Sequence, residues 1–257
     1  MSAAGAERTQ VPAEVAEPLL RVAIAKKVYR RAGTEPVEAV RNLAFDVGPR
    51  EITCLIGPSG AGKTTTLRIL LGLDTDYEGA VLPDPAEADI AMVFQDPRLL
   101  PWRSVEQNVR LALPRPDRAK NLDDLFESLG LAPWRERYPG ALSLGMQRRV
   151  SLARALAQEP RILVLDEPFV SLDEAAAAGL RGLVVAAVEQ YGTSVLMVTH
   201  NVDEAIEIAD RLLLLSGRPA SLVATVPLDT PRSQRTRGWA EATRSGLAQR
   251  YPSVIAG

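Results

Sequence analysis

The sequence predicts an α/β protein whose parallel sheet is covered by helices and interrupted by an inserted helical segment. Three observations carry that expectation. Residues 161–165 and 194–199 are continuous apolar runs, the pattern of parallel strands covered on both faces. Residues 51–56 form a further apolar run that leads directly into a glycine-rich turn and then a helix. Between positions 97 and 159 the apolar spacing becomes helical.

Residues 19–25 and 43–47 alternate as half-buried strands do, and 51–56 reads as a more buried one. Residues 64–71 follow as a helix ending near Gly72, and 88–94 as a strand. Ser104 with Gln107 matches a capping box, opening a helix with the stripe Val105, Val109, Ala112. Leu122, Leu125, Phe126 and Leu129 have the i, i+3, i+4, i+7 spacing of an amphipathic helix. Val150, Ala153, Leu156 and Ala157 make a third stripe that ends at Pro160. These residues read as core, not as binding groups. Val202, Ala205, Ile206 and Ala209 form a last stripe before a strand near 212–215. From Thr230 onward the chain carries Arg232, Arg235, Arg237, Arg244 and Arg250, read as a solvated helix in preference to a lipid or regulatory contact. Residues 1–18, rich in Ala and Glu without the regions of a signal peptide, read as a short disordered tail. The expected layout is a tail at 1–18, one large α/β domain at 19–229 with a helical subdomain at about 97–159, and a basic helix or tail at 230–257.

Composition narrows the classes. A formal charge of −2 over 257 residues lacks the basic footprint of a nucleic-acid partner. No apolar run approaches the roughly 18–20 residues needed to cross a bilayer. The single cysteine, Cys54, lies in an apolar run, reads as a buried inert thiol, and can form no internal disulfide, which fits the cytoplasm.

Gly57-Pro58-Ser59-Gly60-Ala61-Gly62-Lys63-Thr64 fits G-x-x-x-x-G-K-[ST] between a strand and a helix. Its glycines let successive N–H groups converge on one anion, and the helix adds its positive end. The motif implies ATP binding, with Lys63 bridging the β- and γ-phosphates and Thr64 a Mg²⁺ ligand beside Thr65. Hydrolysis needs more. Asp166 ends an apolar strand where α/β ligands bind, so it suits the Mg²⁺ shell, and Glu167 suits polarising a water. Pro168 argues against a mere helix cap. Gln95 ends another strand within reach of metal or water. His200, the one histidine, follows the 194–199 run at the same end of the sheet, where it suits a γ-phosphate contact.

Together with Leu142-Ser143-Leu144-Gly145-Met146, Ser171-Leu172-Asp173 and these residues in order, residues 19–225 resemble the ATP-binding subunits of ABC transporters. The resemblance implies a P-loop NTPase (RecA-like) core with an antiparallel β subdomain and an inserted α-helical subdomain. It implies ATP and Mg²⁺ as ligands and a second ATP-binding subunit paired head-to-tail, an identical chain in preference to a different one. Ser143 and Gly145 would then meet the γ-phosphate held by the partner's loop, with Asp173 at the same interface. Tyr29 would stack on adenine, an ordinary surface tyrosine being the alternative. Transmembrane permease subunits, an indirectly coupled solute-binding protein and the cytoplasmic face of the inner membrane come with the family. The run from Phe94 to Trp102 lies where family members receive the permease; for Trp102 itself, core packing is the alternative. The branch most similar serves nitrate, sulfonates and taurine, against another small-solute importer.

Two departures stand out. Leu144-Gly145-Met146 replaces the family's Gly-Gly-Gln, and Asn201 replaces its acidic neighbour of the histidine. A left-handed Leu144 would cost about 1–2 kcal/mol, so a helical Leu144 pointing away from phosphate is expected. Three other classes fit less well. A small-molecule kinase would not need Ser143, Asp173 and His200 in this order. A soluble relative acting on DNA or ribosomes usually carries two cassettes or a long insertion. Glu167 and His200 argue against a subunit with weak or no hydrolysis in a regulatory or heterodimeric role, while the altered signature at 144–146 keeps that alternative open.

Overall fold

The computed structural model describes residues 17–30, 33 and 35–255. The tail expected at 1–18 lies, except for Glu17 and Pro18, outside the described residues. Strands β1 (Leu20–Tyr29) and β2 (Val37–Val47) pair antiparallel. β3 (Ile52–Ile56) runs through the phosphate loop into α1 (Lys63–Leu70). β4 (Glu78–Leu82) joins the other edge of β1, giving a three-stranded antiparallel sheet in the order β2-β1-β4. β5 (Ile90–Val93) then opens a long helical stretch: α2 (Val105–Leu111), α3 (Asp123–Ser128) and α4 (Leu144–Leu156). The chain closes with β6 (Ile162–Asp166), α5 (Glu174–Tyr191), β7 (Ser194–Thr199), α6 (Val202–Ile208), β8 (Arg211–Leu215), β9 (Leu222–Pro227), α7 (Arg237–Arg250) and α8 (Pro252–Ile255).

The second sheet has the order β5-β6-β7-β3-β8-β9, parallel except for β9. Its parallel strands are almost wholly buried, which is why they read as unbroken apolar runs. Register does the rest. Ile56 pairs with Thr199, and Asp166 with Val198, so β3, β6 and β7 end level with one another. Whatever follows each of them therefore emerges at one end of the sheet.

The core divides by strand period. Ile52, Cys54 and Ile56 of β3 join the apolar cluster that runs through α2 to α6, while Leu55 joins the cluster under α1 and the antiparallel sheet. Burial pushes the Cys54 thiol far above its usual value, as expected of an inert core cysteine. The capping box of α2 forms in both directions between Ser104 and Gln107.

The structure corrects several expectations. β1 extends to Tyr29 and β2 begins at Val37, well beyond the alternating segments. Residues 122–129 contain only a six-residue helix, flanked by Leu122 and Leu129, which are buried all the same. The Arg-rich tail is only in part the solvated helix expected: Arg237, Arg244 and Arg250 stand exposed on α7, while Arg232 and Arg235, just before it, are engaged. Arg232 Nε donates to Ile208 O at 2.7 Å, and Arg235 Nη1 donates to Ile206 O at 2.9 Å. Two guanidinium groups thus satisfy carbonyls at the end of α6, where a helix leaves acceptors free and favours cations. Leu247 and Val254 seal the tail into the core. Trp102, 68% exposed, is not a core residue.

Candidate nucleotide site

The loop between β3 and α1 turns on Gly60 at φ 77° and Gly62 at φ 75°, both in the region that side chains resist. It lines a cavity of about 430 Å³ at the level ends of β3 and β6. Residues 59–65 form one wall; Gln95, Asp166 and Glu167 form another; and Tyr29, Val37 and Ala39 line the side nearest the antiparallel sheet. Lys63 is folded back on its own loop, donating to Gly57 O and to Pro58 O at 3.0 Å. Burial lowers its pKa from the usual value, against the opposing pull of Glu167 and Asp166. The Asp166 carboxyl is raised by burial and then by Glu167, while Lys63 and Arg98 oppose the rise. A polyanion entering here meets converging N–H groups, one ammonium and a helix start.

Glu167 leaves β6 at φ 46°, a conformation rare for a residue with a side chain. Its amide donates to Val198 O at 2.8 Å, which ties that backbone to β7. His200 Nδ1 lies 2.8 and 2.9 Å from the two oxygens of the Glu167 carboxylate. The histidine, expected on phosphate, thus holds the glutamate here and does not line the cavity. The buried Thr199 hydroxyl stands 3.3 Å from Glu167 Oε2 and 3.3 Å from Glu204 Oε2, so its one proton serves either carboxylate. Asn201, the departure from the family pattern, caps α6 by accepting from the amides of Asp203 and Glu204.

Tyr29 is held from behind. Its hydroxyl reaches Asp74 Oδ2 at 3.1 Å and Thr65 Oγ1 at 3.3 Å. Lys27, only 3% exposed, pairs with Asp74 at 2.7 Å and stands 4.8 Å from the Tyr29 ring centre.

The remaining predicted residues lie apart from the cavity. Ser143 is exposed and caps α4, accepting from the Met146 amide at 3.3 Å. Leu144 is the first helical residue of α4, and it borders a second hollow with Gln95, Asp166 and Ser171. A Cβ on Gly145 would meet Ala176 Cβ of α5 at 3.1 Å, so that glycine lets α4 approach α5 closely. Asp173 caps α5, accepting from the Ala176 amide at 2.8 Å. In one chain, then, Lys63, Thr64, Gln95, Asp166 and Glu167 come together, while Ser143, Gly145 and Asp173 do not join them.

Four lining residues escape sequence reasoning, the aliphatic Val37 and Ala39 and two charged ones. Glu38 sits at the cavity wall, held by Arg41. Arg218, from the β8–β9 loop, donates Nε to Gly60 O at 3.0 Å. No sequence pattern signals either one, because Arg218 arrives only through the bridge of Ala220 to Val40 of β2.

A parallel sheet with a glycine loop, a lysine and two carboxylates at its carboxyl end defines a P-loop ATPase. Residues 40–170 match the family model described as ABC transporter. An aliphatic sulfonates import ATP-binding protein, SsuB 1, of Pseudomonas savastanoi pv. phaseolicola is 38% identical over 93% of this chain and 99% of its own. Its namesake in Streptomyces avermitilis is 44% identical over 82% of this chain and 80% of its own. Among solved structures, the dimeric ATP-binding cassette MJ0796, in a post-hydrolysis state bound to ADP and Pi, superposes with a TM-score of 0.69. It is 26% identical and covers 82% of this chain and 100% of its own. The chain belongs to the ABC transporter family, as one of its subunits that bind and hydrolyse ATP.

Proposed function

We propose that this chain powers the import of aliphatic sulfonates, as a head-to-tail pair of identical subunits beneath a permease. Its likeness, over nearly its full length, to sulfonate import proteins carries that reading. Lys63 would leave the loop carbonyls for the β- and γ-phosphates, while the loop amides and Thr65 hold the chain of phosphates. The hydroxyl of Thr64, the carboxylate of Asp166 and the amide oxygen of Gln95 line one cavity and make a hard-oxygen donor set that fits Mg²⁺. Bound there, Mg²⁺ would neutralise charge on the transferring phosphate. Glu167 polarises the attacking water, and His200 keeps the carboxylate aimed.

Ser143, Gly145 and Asp173 complete the site of the partner, which explains why they stand apart from the cavity of their own chain. ATP that contacts both chains only when they close drives the pair together, and hydrolysis releases it. Residues 97–159, with exposed Trp102, pass this motion to the permease at the cytoplasmic face of the membrane. Among the described residues no helix is long and apolar enough to cross the membrane itself. A solute-binding protein outside delivers the cargo.

Deleting the chain from its host tests the cargo. Growth on ethanesulfonate as sole sulfur source should be lost while growth on sulfate persists. Undiminished growth on sulfonate, with a defect on nitrate or another solute, would reassign it.

A further inference from the structure

We propose that Arg218 is a second phosphate-binding cation of the nucleotide site, supplied by the loop between β8 and β9. The inference deepens the ATP reading and rests on it. Arg218 lines the same cavity as Lys63, Thr64 and Thr65, yet comes from a segment about 150 residues further along the chain, beyond the motifs. Three observations set it apart from an ordinary surface arginine.

First, its position is fixed. Nε donates to Gly60 O at 3.0 Å, and the loop that carries it is clamped to β2 by Ala220, whose amide donates to Ala39 O at 2.8 Å. Second, the phosphate loop makes room for it. A Cβ on Gly60 would lie 2.6 Å from Arg218 Nη2, so the guanidinium occupies the space that glycine leaves empty. Third, its charge is unspent. Among the described residues Arg218 forms no ion pair, and the one acidic side chain on that wall, Glu38, is taken by Arg41. Nε being engaged, the four N–H groups of Nη1 and Nη2 have no acceptor among the described residues. An unpaired planar fork of donors held at the rim of an anion cavity suits phosphate oxygens.

The bland alternative is a latch, in which Arg218 merely holds the Gly60 carbonyl. The two differ in how the effect scales with ligand charge. Binding of ATP, ADP and AMP to the full chain is measured calorimetrically in Mg²⁺-free buffer, where no hydrolysis proceeds, at low and moderate salt. Arg218→Gln can still donate to the carbonyl but carries no charge. It should weaken ATP about tenfold, ADP less and AMP least, and flatten the salt dependence. Arg218→Lys should recover only part of the ATP affinity, since it keeps the charge but not the fork, and should restore the salt dependence. Equal weakening of all three nucleotides, or a Gln variant as good as wild type, would overturn the proposal. Lys63→Ala keeps the readings separate: if wild type and Lys63→Ala bind ATP alike, the nucleotide site itself is wrong. If only Lys63→Ala loses ATP, Arg218 alone is refuted.

Discussion

Replacing Gly62 with alanine tests how the phosphate loop is held. Gly62 stands at φ 75°, and a Cβ there would lie 2.7 Å from Ala220 Cβ and 2.8 Å from Ala39 O. Two costs follow. Holding alanine in the left-handed region costs about 1–2 kcal/mol, and forcing a methyl into occupied space costs about 1–3 kcal/mol. Their sum, about 3 kcal/mol, corresponds to a melting temperature lowered by roughly 6–12 °C for a chain of this size. The loop amides would splay as the strain is relieved, so ATP affinity should fall with stability. Circular-dichroism melting and nucleotide titration read both effects. Adding Ala220→Gly removes one clash but leaves the Ala39 carbonyl and the backbone angle. It should restore about 1 kcal/mol and no more. A Gly62→Ala protein that melts with the wild type would refute the packing argument, and full rescue by Ala220→Gly would refute the backbone one.

Glu167→Gln should bind ATP normally, lose turnover by at least about 100-fold, and collect as an ATP-held dimer in size-exclusion chromatography; wild-type turnover would remove Glu167 as the base. Leu144→Gly should keep most of the ATPase activity, because Leu144 begins α4 with a helical backbone and asks nothing special of it; total loss would sink that account. Asp74→Asn should destabilise the protein by about 2 kcal/mol at neutral pH, since it strips the buried Lys27 of its closest counter-charge. Burial alone would raise the Asp74 carboxyl, but donation from Lys27 and Tyr29 overrides it and holds the group below its usual value. A depressed carboxyl stabilises fully above its unfolded value, near about 4, and loses that contribution as pH falls through the folded one. The Asn variant should therefore lose part of the stability drop that wild type shows below that pH in urea titrations.

The parallel strands were legible because burial on both faces leaves a continuous apolar run, as in residues 162–165 and 194–199. The edge strands were not. β4 buries one residue of five, so it shows no pattern that differs from a loop, and β9 alternates only between half-buried and exposed residues, a weak signal. In the site, the phosphate loop and Asp166–Glu167 were legible because the chemistry is contiguous in the chain. Arg218 and Glu38 were not, since each reaches the cavity by tertiary pairing between β2 and the β8–β9 loop. Arg232 and Arg235 were hard to read for a related reason: a guanidinium that satisfies helix-end carbonyls looks, in sequence, the same as one in water.

The aromatic ring of Tyr29 has two faces, and the chain has already spent one of them on Lys27. A purine stacked on the other face, as the family resemblance implies for Tyr29, would meet a flat surface whose electrons are drawn toward the lysine behind it. Beside it on that wall stand the aliphatic Val37 and Ala39 and a Glu38 engaged by Arg41. Such a seat grips the plane of a base and ignores its edge. Adenine and guanine differ only at the edge, so the residues described on that wall would offer little means to tell one from the other. A guanine nucleotide should then bind nearly as well as an adenine one, with the phosphates supplying most of the grip.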